Sequence, residues 1–129
     1  AGWKLGVYLE WVLQELCEYM EAEVKYNRKN EFTLYELYQS LRNRLKKKLG
    51  RNHQIFILID NFDISFRNFS VHYKNSTSPL SSAEIREILE KWKEIEEKLW
   101  CNECGRFVRY RKENGIELIS CPGGHLKLC

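Results

Sequence analysis

Two groups of residues in this sequence have the types and spacing to do chemistry. The first is Arg67-Asn-Phe-Ser-Val-His72, an arginine and a histidine with Asn68 directly after the arginine. A guanidinium can hold a phosphate through paired, charge-assisted hydrogen bonds and stabilise the charge that builds on it. An imidazole exchanges a proton near neutral pH. Together they suffice for attack of a ribose 2′-hydroxyl on the adjacent phosphorus, with no metal in the chemical step. Asn68 is placed to orient His72 or to bind phosphate. Asp63, one helical turn before Arg67, is placed to set its rotamer. The bland alternative is an Asp63–Arg67 pair on a solvated helix face, with His72 a satisfied histidine at a helix end.

The second group is Trp100-Cys-Asn-Glu-Cys-Gly105 with Cys121-Pro-Gly-Gly-His125. A tight turn between two cysteines lets both thiolates and nearby backbone amides converge on one ion. The spacing C-x2-C-x16-C-x3-H resembles that of zinc ribbons. Cys101, Cys104 and Cys121 are three candidate ligands; the fourth is His125 or Cys129, of which His125 sits nearer its knuckle. Four protein ligands close a site, so this zinc is read as structural and takes no part in catalysis. Free or disulfide-linked cysteines are the alternative. Tight C-x-x-C spacing without a secretion signal favours metal and a reducing, cytoplasmic compartment. The fifth cysteine, Cys17, lies inside an apolar helical pattern and reads as core.

The elements that must position these groups are mostly helical. Leu5, Tyr8, Leu9, Val12, Leu13, Leu16, Met20 and Val24 recur at three- and four-residue steps, predicting a helix from Leu5 to Tyr26. Asn27 to Asn30 reads as a turn. Thr33-Leu-Tyr-Glu36 is a capping-box sequence opening a second helix. Its cationic end and Gly50 suit the helix dipole and C-cap. From His53 to Tyr73, Gln54 to Ile59 has strand-like composition. The helical spacing of Ile55, Ile59, Phe62, Phe66 and Phe69 favours a helix, ended by the polar loop Lys74 to Pro79. Ser81 and Glu84 form another capping box, with Leu80 and Ile85 as its hydrophobic staple. Ile85, Ile88, Leu89, Trp92, Ile95 and Leu99 then run to Cys101. Arg106 to Arg111 reads as a strand, Asn114-Gly115 as a two-residue hairpin turn and Ile116 to Ile119 as the returning strand. The fold class expected is mainly α: an up-and-down four-helix bundle over residues 1–100 and a β-hairpin zinc ribbon over 101–129.

Length and composition bound the rest. The chain has 129 residues, 13% aromatic and 30% charged, enough for a helical core with solvated faces. The net charge of +3 permits nucleic-acid binding without arguing for it. No apolar run approaches the ~18 to 20 residues of a membrane span. No stretch reads as a signal peptide. The missing initiator Met and the immediate helical pattern suggest a piece excised from a longer polypeptide.

Arg67-Asn-x-x-x-His72, closing a third helix ahead of a fourth, resembles the R-x4-6-H signature of the HEPN superfamily. The resemblance spans roughly Leu5 to Trp100, with the ribbon an addition to the family fold. It implies a metal-independent endoribonuclease that leaves a 2′,3′-cyclic phosphate and a free 5′-hydroxyl. It also implies a homodimer in which both motifs line one cleft. The runs Leu9 to Cys17 and Phe32 to Leu37 resemble the C-terminal portion of bacterial and archaeal SMC-like or AAA-like ATPases that end in a HEPN module. Several such proteins are defence or toxin effectors, so an ATPase partner is implied. No P-loop sequence occurs in the chain. Arg42, Arg44, Lys46, Lys47, Lys48 and Arg51 form a candidate RNA-binding patch, and Arg106, Arg109, Arg111 and Lys112 decorate the ribbon. The competing reading of that patch is a solvated, dipole-complementary helix end. Phe107 and Tyr110 could stack bases or pack the ribbon on the helices. The alternatives to an enzyme are a non-catalytic nucleic-acid-binding module and a dimerisation module.

Overall fold

The computed structural model describes residues 2–24, 33–73 and 80–129. Among the described residues there are four helices: α1 (Gly2–Met20), α2 (Leu34–Leu49), α3 (Gln54–His72) and α4 (Ser82–Leu99). A small β region follows, with β1 (Trp100–Cys101), β2 (Arg106–Phe107), β3 (Arg109–Glu113) and β4 (Ile116–Ser120). Each helix packs on the next in sequence, and α1 also meets α4. The expected turn at Asn27 to Asn30 and the loop at Lys74 to Pro79 lie outside the described residues.

Apolar periodicity explains which faces close. Leu9, Val12, Leu13, Leu16 and Met20 are fully buried on α1, and Leu37, Tyr38, Leu41 and Leu45 on α2. Each such side chain contributes about 2 kcal/mol by leaving water. On α3 the segment of strand-like composition is helical, because its apolar residues continue at helical spacing into an aromatic spine. Phe66 stacks on Tyr38 at 4.2 Å and meets Phe62 edge-to-face at 5.7 Å. The Tyr38 hydroxyl donates to the Ile59 carbonyl, which satisfies its one buried polar atom.

The helix ends follow from local chemistry. Thr33 accepts the Glu36 N–H at 3.1 Å, but among the described residues no return bond from the Thr33 N–H to the Glu36 carboxylate completes the expected capping box. Ser81 and Glu84 exchange both capping-box bonds, each at 3.1 Å. His53 caps α3 by taking the Ile55 N–H on Nδ1 at 3.1 Å; a histidine cap has no strong sequence signature. The first helix is shorter than its apolar pattern suggests. It stops at Met20 because Glu21 turns left-handed (φ 55°). The Glu21 and Ala22 N–H groups then close on the Glu18 and Cys17 carbonyls, the Schellman arrangement. Val24 still packs against the core, from beyond the helix.

The β region departs from expectation in one respect. Arg106 to Arg111 is two strands rather than one. β2 folds back on β1, pairing Phe107 with Trp100. The chain then passes through fully buried Val108, whose N–H bonds to the Leu99 carbonyl at 2.8 Å. β3 and β4 pair from Arg109↔Ser120 to Glu113↔Ile116. Between them Asn114 and Gly115 both have positive φ, 53° and 81°, as a two-residue I′ turn requires. Phe107, Val108 and Ile119 join the helical core cluster, so the β region shares the interior of the helices.

Candidate metal centre and candidate catalytic residues

The two knuckles meet. One ligand atom from each of Cys101, Cys104, Cys121 and His125 lies within 4.8 Å of all the others. Cys101 is positioned by β1 and Cys121 by the end of β4, and both are buried. The first turn aims the Cys104 N–H at Cys101 Sγ, 3.4 Å away. The second aims the His125 and Leu126 N–H groups at Cys121 Sγ, at 3.1 and 3.2 Å. Such donors stabilise a thiolate. Burial pushes the Cys121 thiol up, but these N–H groups and the neighbouring thiols outweigh it and bring it down to about 6.

The donor set fits a tetrahedral Zn²⁺. Bonds of about 2.3 Å to sulfur and about 2.0 Å to nitrogen place ligand atoms roughly 3.5 Å apart. His125 Nδ1 lies 3.3 Å from Cys104 Sγ and 4.0 Å from Cys121 Sγ. Its other nitrogen, Nε2, lies 3.1 Å from a Glu103 carboxylate oxygen. That contact fixes which nitrogen faces the sulfurs, the usual way a ligating histidine is oriented. Glu103 was not singled out by sequence; its place between the two knuckle cysteines was the available signal. Gly123 is also part of the site. A Cβ there would lie 2.6 Å from His125 Cε1, 2.8 Å from its Nδ1 and 3.0 Å from Cys104 Sγ.

The other cysteines stand apart. Cys129 lies outside the cluster, and its backbone carbonyl accepts the Ile119 N–H at 3.1 Å. Cys17 is buried and donates to the Leu37 carbonyl at 3.5 Å. Burial pushes its thiol up to about 12, so it is inert.

Arg67 and His72 both lie on α3, whose last residue is His72. They lie on different flanks of the helix. Five residues on an unbroken helix turn about 140° around the axis and rise about 7.5 Å along it. The shorter arc between them around the helix carries the exposed Ile64, Asn68 and Val71, and the buried Phe62, Phe66 and Phe69 fill the longer one. Arg67 occupies the flank facing α2, with its guanidinium carbon 5.5 Å from the centre of the Tyr35 ring. His72 occupies the flank facing the start of α4. Glu84 is held below the ordinary carboxylate range by the Ser81 N–H and hydroxyl, and by the charge of His72.

Arg67 and Asn68 are exposed, and Asn68 points away from the core. His72 is half-buried, and its Nδ1 has no hydrogen-bond partner among the described residues. Asp63 does not hold Arg67. It accepts the Tyr35 hydroxyl on both oxygens at 3.1 Å, and no Asp63–Arg67 ion pair occurs among the described residues.

Half of the basic patch is engaged in holding the fold. Arg42 pairs with Asp60. Arg44 donates to the Met20 carbonyl at 2.8 Å and lies 4.7 Å over the Tyr110 ring. Lys48 pairs with Glu117 at 2.6 Å and lies 5.0 Å from the same ring. Tyr110 therefore packs β3 on α2, and its hydroxyl donates to Glu117 at 2.8 Å. Among the described residues, Lys46, Lys47 and Arg51 carry no ion pair. On the ribbon, Arg111 donates to Ser120 Oγ at 2.7 Å, whereas Arg106 and Lys112 are exposed.

No protein-family model, curated protein or solved structure matches this chain.

Proposed function

We propose that this chain is a HEPN-type endoribonuclease domain, an up-and-down four-helix bundle stapled by a structural zinc ribbon. The packing order of the helices, each on the next and the first on the last, supports the bundle. Cys101, Cys104, Cys121 and His125 are the proposed zinc ligands. Zinc supplies folding energy to a segment too poor in apolar residues to fold by itself.

The observation that carries the catalytic reading lies at the end of α3. The last turns of α3 carry an exposed guanidinium, an exposed amide and, among the described residues, an imidazole whose Nδ1 has no hydrogen-bond partner. With Arg67 and His72 on different flanks of α3, the proposed active site is shared between two copies. Arg67 of one copy then faces His72 of the other across a two-fold interface. Arg67 pairs with the non-bridging phosphate oxygens, and Asn68 adds a hydrogen bond. The 2′-hydroxyl attacks phosphorus and the P–O5′ bond breaks. His72 moves the proton, so that a 2′,3′-cyclic phosphate and a 5′-hydroxyl result. Lys46, Lys47 and Arg51 are the cations free to steer RNA. The domain would serve as the effector module of a larger cytoplasmic ATPase in defence or as a toxin.

The test is RNA cleavage by the zinc-loaded chain, by Arg67→Ala and by His72→Ala, and by the two variants mixed. Each variant alone should be inactive. The mixture should regain up to a quarter of wild-type activity, because only mixed dimers restore one intact site. Equal activity in all three proteins, or no cleavage by the wild type, removes the reading. A second reading is favoured by the spent cations: with Arg42, Arg44 and Lys48 committed to the fold, the domain is a zinc-stapled docking module. It predicts assembly without cleavage.

A further inference from the structure

A cleft of about 550 Å³ opens between α1, the end of α4 and the first hairpin of the ribbon. It includes neither the metal ligands nor Arg67 and His72. One wall is Tyr8 and Trp11, with ring centres 6.3 Å apart. The other is Trp100 and Phe107, which meet edge-to-face at 4.9 Å. Glu96 and Glu97 stand between the walls, and no lysine or arginine lines the cleft among the described residues.

The side chains differ in how far they are already used. Glu96 accepts from the Tyr8 hydroxyl and from Trp92 Nε1. Glu97 is exposed and makes no ion pair among the described residues. Trp11 is 57% exposed and Trp100 37%, a large indole area left in water. Indole faces beside uncompensated negative charge attract a cation. The ring quadrupole draws it in, and the carboxylate supplies the counter-charge. The same carboxylates repel a phosphodiester backbone, so a nucleic acid suits this cleft poorly.

We propose that the cleft seats a cationic side chain, the guanidinium or ammonium of a basic polypeptide segment, between Trp11 and Trp100 with Glu97 as counter-charge. Trp100 directly precedes Cys101 on β1 and pairs with Phe107 on β2, so the strand that carries the first knuckle cysteine also carries one wall.

The experiment titrates the zinc-loaded full chain with a capped Gly-Gly-Arg-Gly-Gly peptide. Binding is followed by tryptophan fluorescence and by indole N–H chemical shifts. The same peptide with citrulline in place of arginine keeps the shape and removes the charge; guanosine monophosphate tests a stacked base. The arginine peptide should bind, and the citrulline peptide at least about tenfold more weakly. Trp11→Ala and Glu97→Gln should each weaken binding about fivefold or more. Both residues are exposed, and circular dichroism checks that the variants fold. Equal binding of the two peptides, tighter binding of the nucleotide, no binding of the arginine peptide at millimolar concentration, or unchanged affinity in either variant overturns the proposal.

Discussion

Replacing Gly123 by alanine should cripple the metal site while leaving the helices intact. The new Cβ would lie 2.6 Å from His125 Cε1, 2.8 Å from its Nδ1 and 3.0 Å from Cys104 Sγ. Carbon contacts are relaxed at about 3.5–4.0 Å, so the imidazole must retreat by nearly 1 Å or swing away. Cys104 is anchored by its knuckle, and Cys121 by two backbone N–H groups. The histidine is therefore the ligand that yields, and its Glu103 contact goes with it. Structural zinc binding supplies about 10–16 kcal/mol, so one ligand in four accounts for roughly 3 kcal/mol, about a hundredfold in affinity. Competition against a chromophoric zinc chelator measures this. Gly124→Ala is the control. Gly124 has φ 75°, and a Cβ added there would meet nothing within 4 Å, so that variant carries backbone strain of about 1 kcal/mol but no clash. If Gly123→Ala binds zinc within about threefold of wild type, or better than Gly124→Ala, the packing argument for His125 as ligand is wrong.

Two further outcomes follow from close contacts in the helices. Gly6→Ala would drive a Cβ to 1.9 Å from the Tyr73 ring, which is also stacked on Phe69. Overpacking of that kind costs about 1–3 kcal/mol or more, and a urea-unfolding loss under about 0.5 kcal/mol would refute the contact. Glu21→Gly should stabilise the fold by about 0.5–1 kcal/mol, since the left-handed turn costs a non-glycine residue more than glycine's extra unfolded-state entropy. A lower unfolding midpoint for that variant would contradict the Schellman ending of α1.

The helices, the Thr33 and Ser81 caps and the Cys/His cluster were legible in the sequence because each rests on local chemistry. Ser81 and Glu84 interact three residues apart, and the buried stripe of α2 repeats at helical spacing. Cysteine spacing alone brings each knuckle pair together, and a hairpin turn brings the pairs to one another. Two local readings went too far. Apolar periodicity ran on past Met20, where the backbone had already turned left-handed. Strand composition ran on through Val108, where burial against the helices breaks the pairing.

Tertiary structure decided what the charged residues do. A run of cations on one helix has the same sequence whether it faces water or a neighbour. Only the docking of β3 and β4 on α2 commits Arg44 and Lys48 to Tyr110 and Glu117. Likewise, spacing placed Arg67 and His72 near each other along the chain. The unbroken turn of α3 sends one toward α2 and the other toward α4, because helix geometry, not sequence separation, sets which residues share a face. Residue identity and short-range spacing thus determined the elements and the Cys/His cluster. Which side chains meet across elements was settled by long-range packing, which no local pattern encodes.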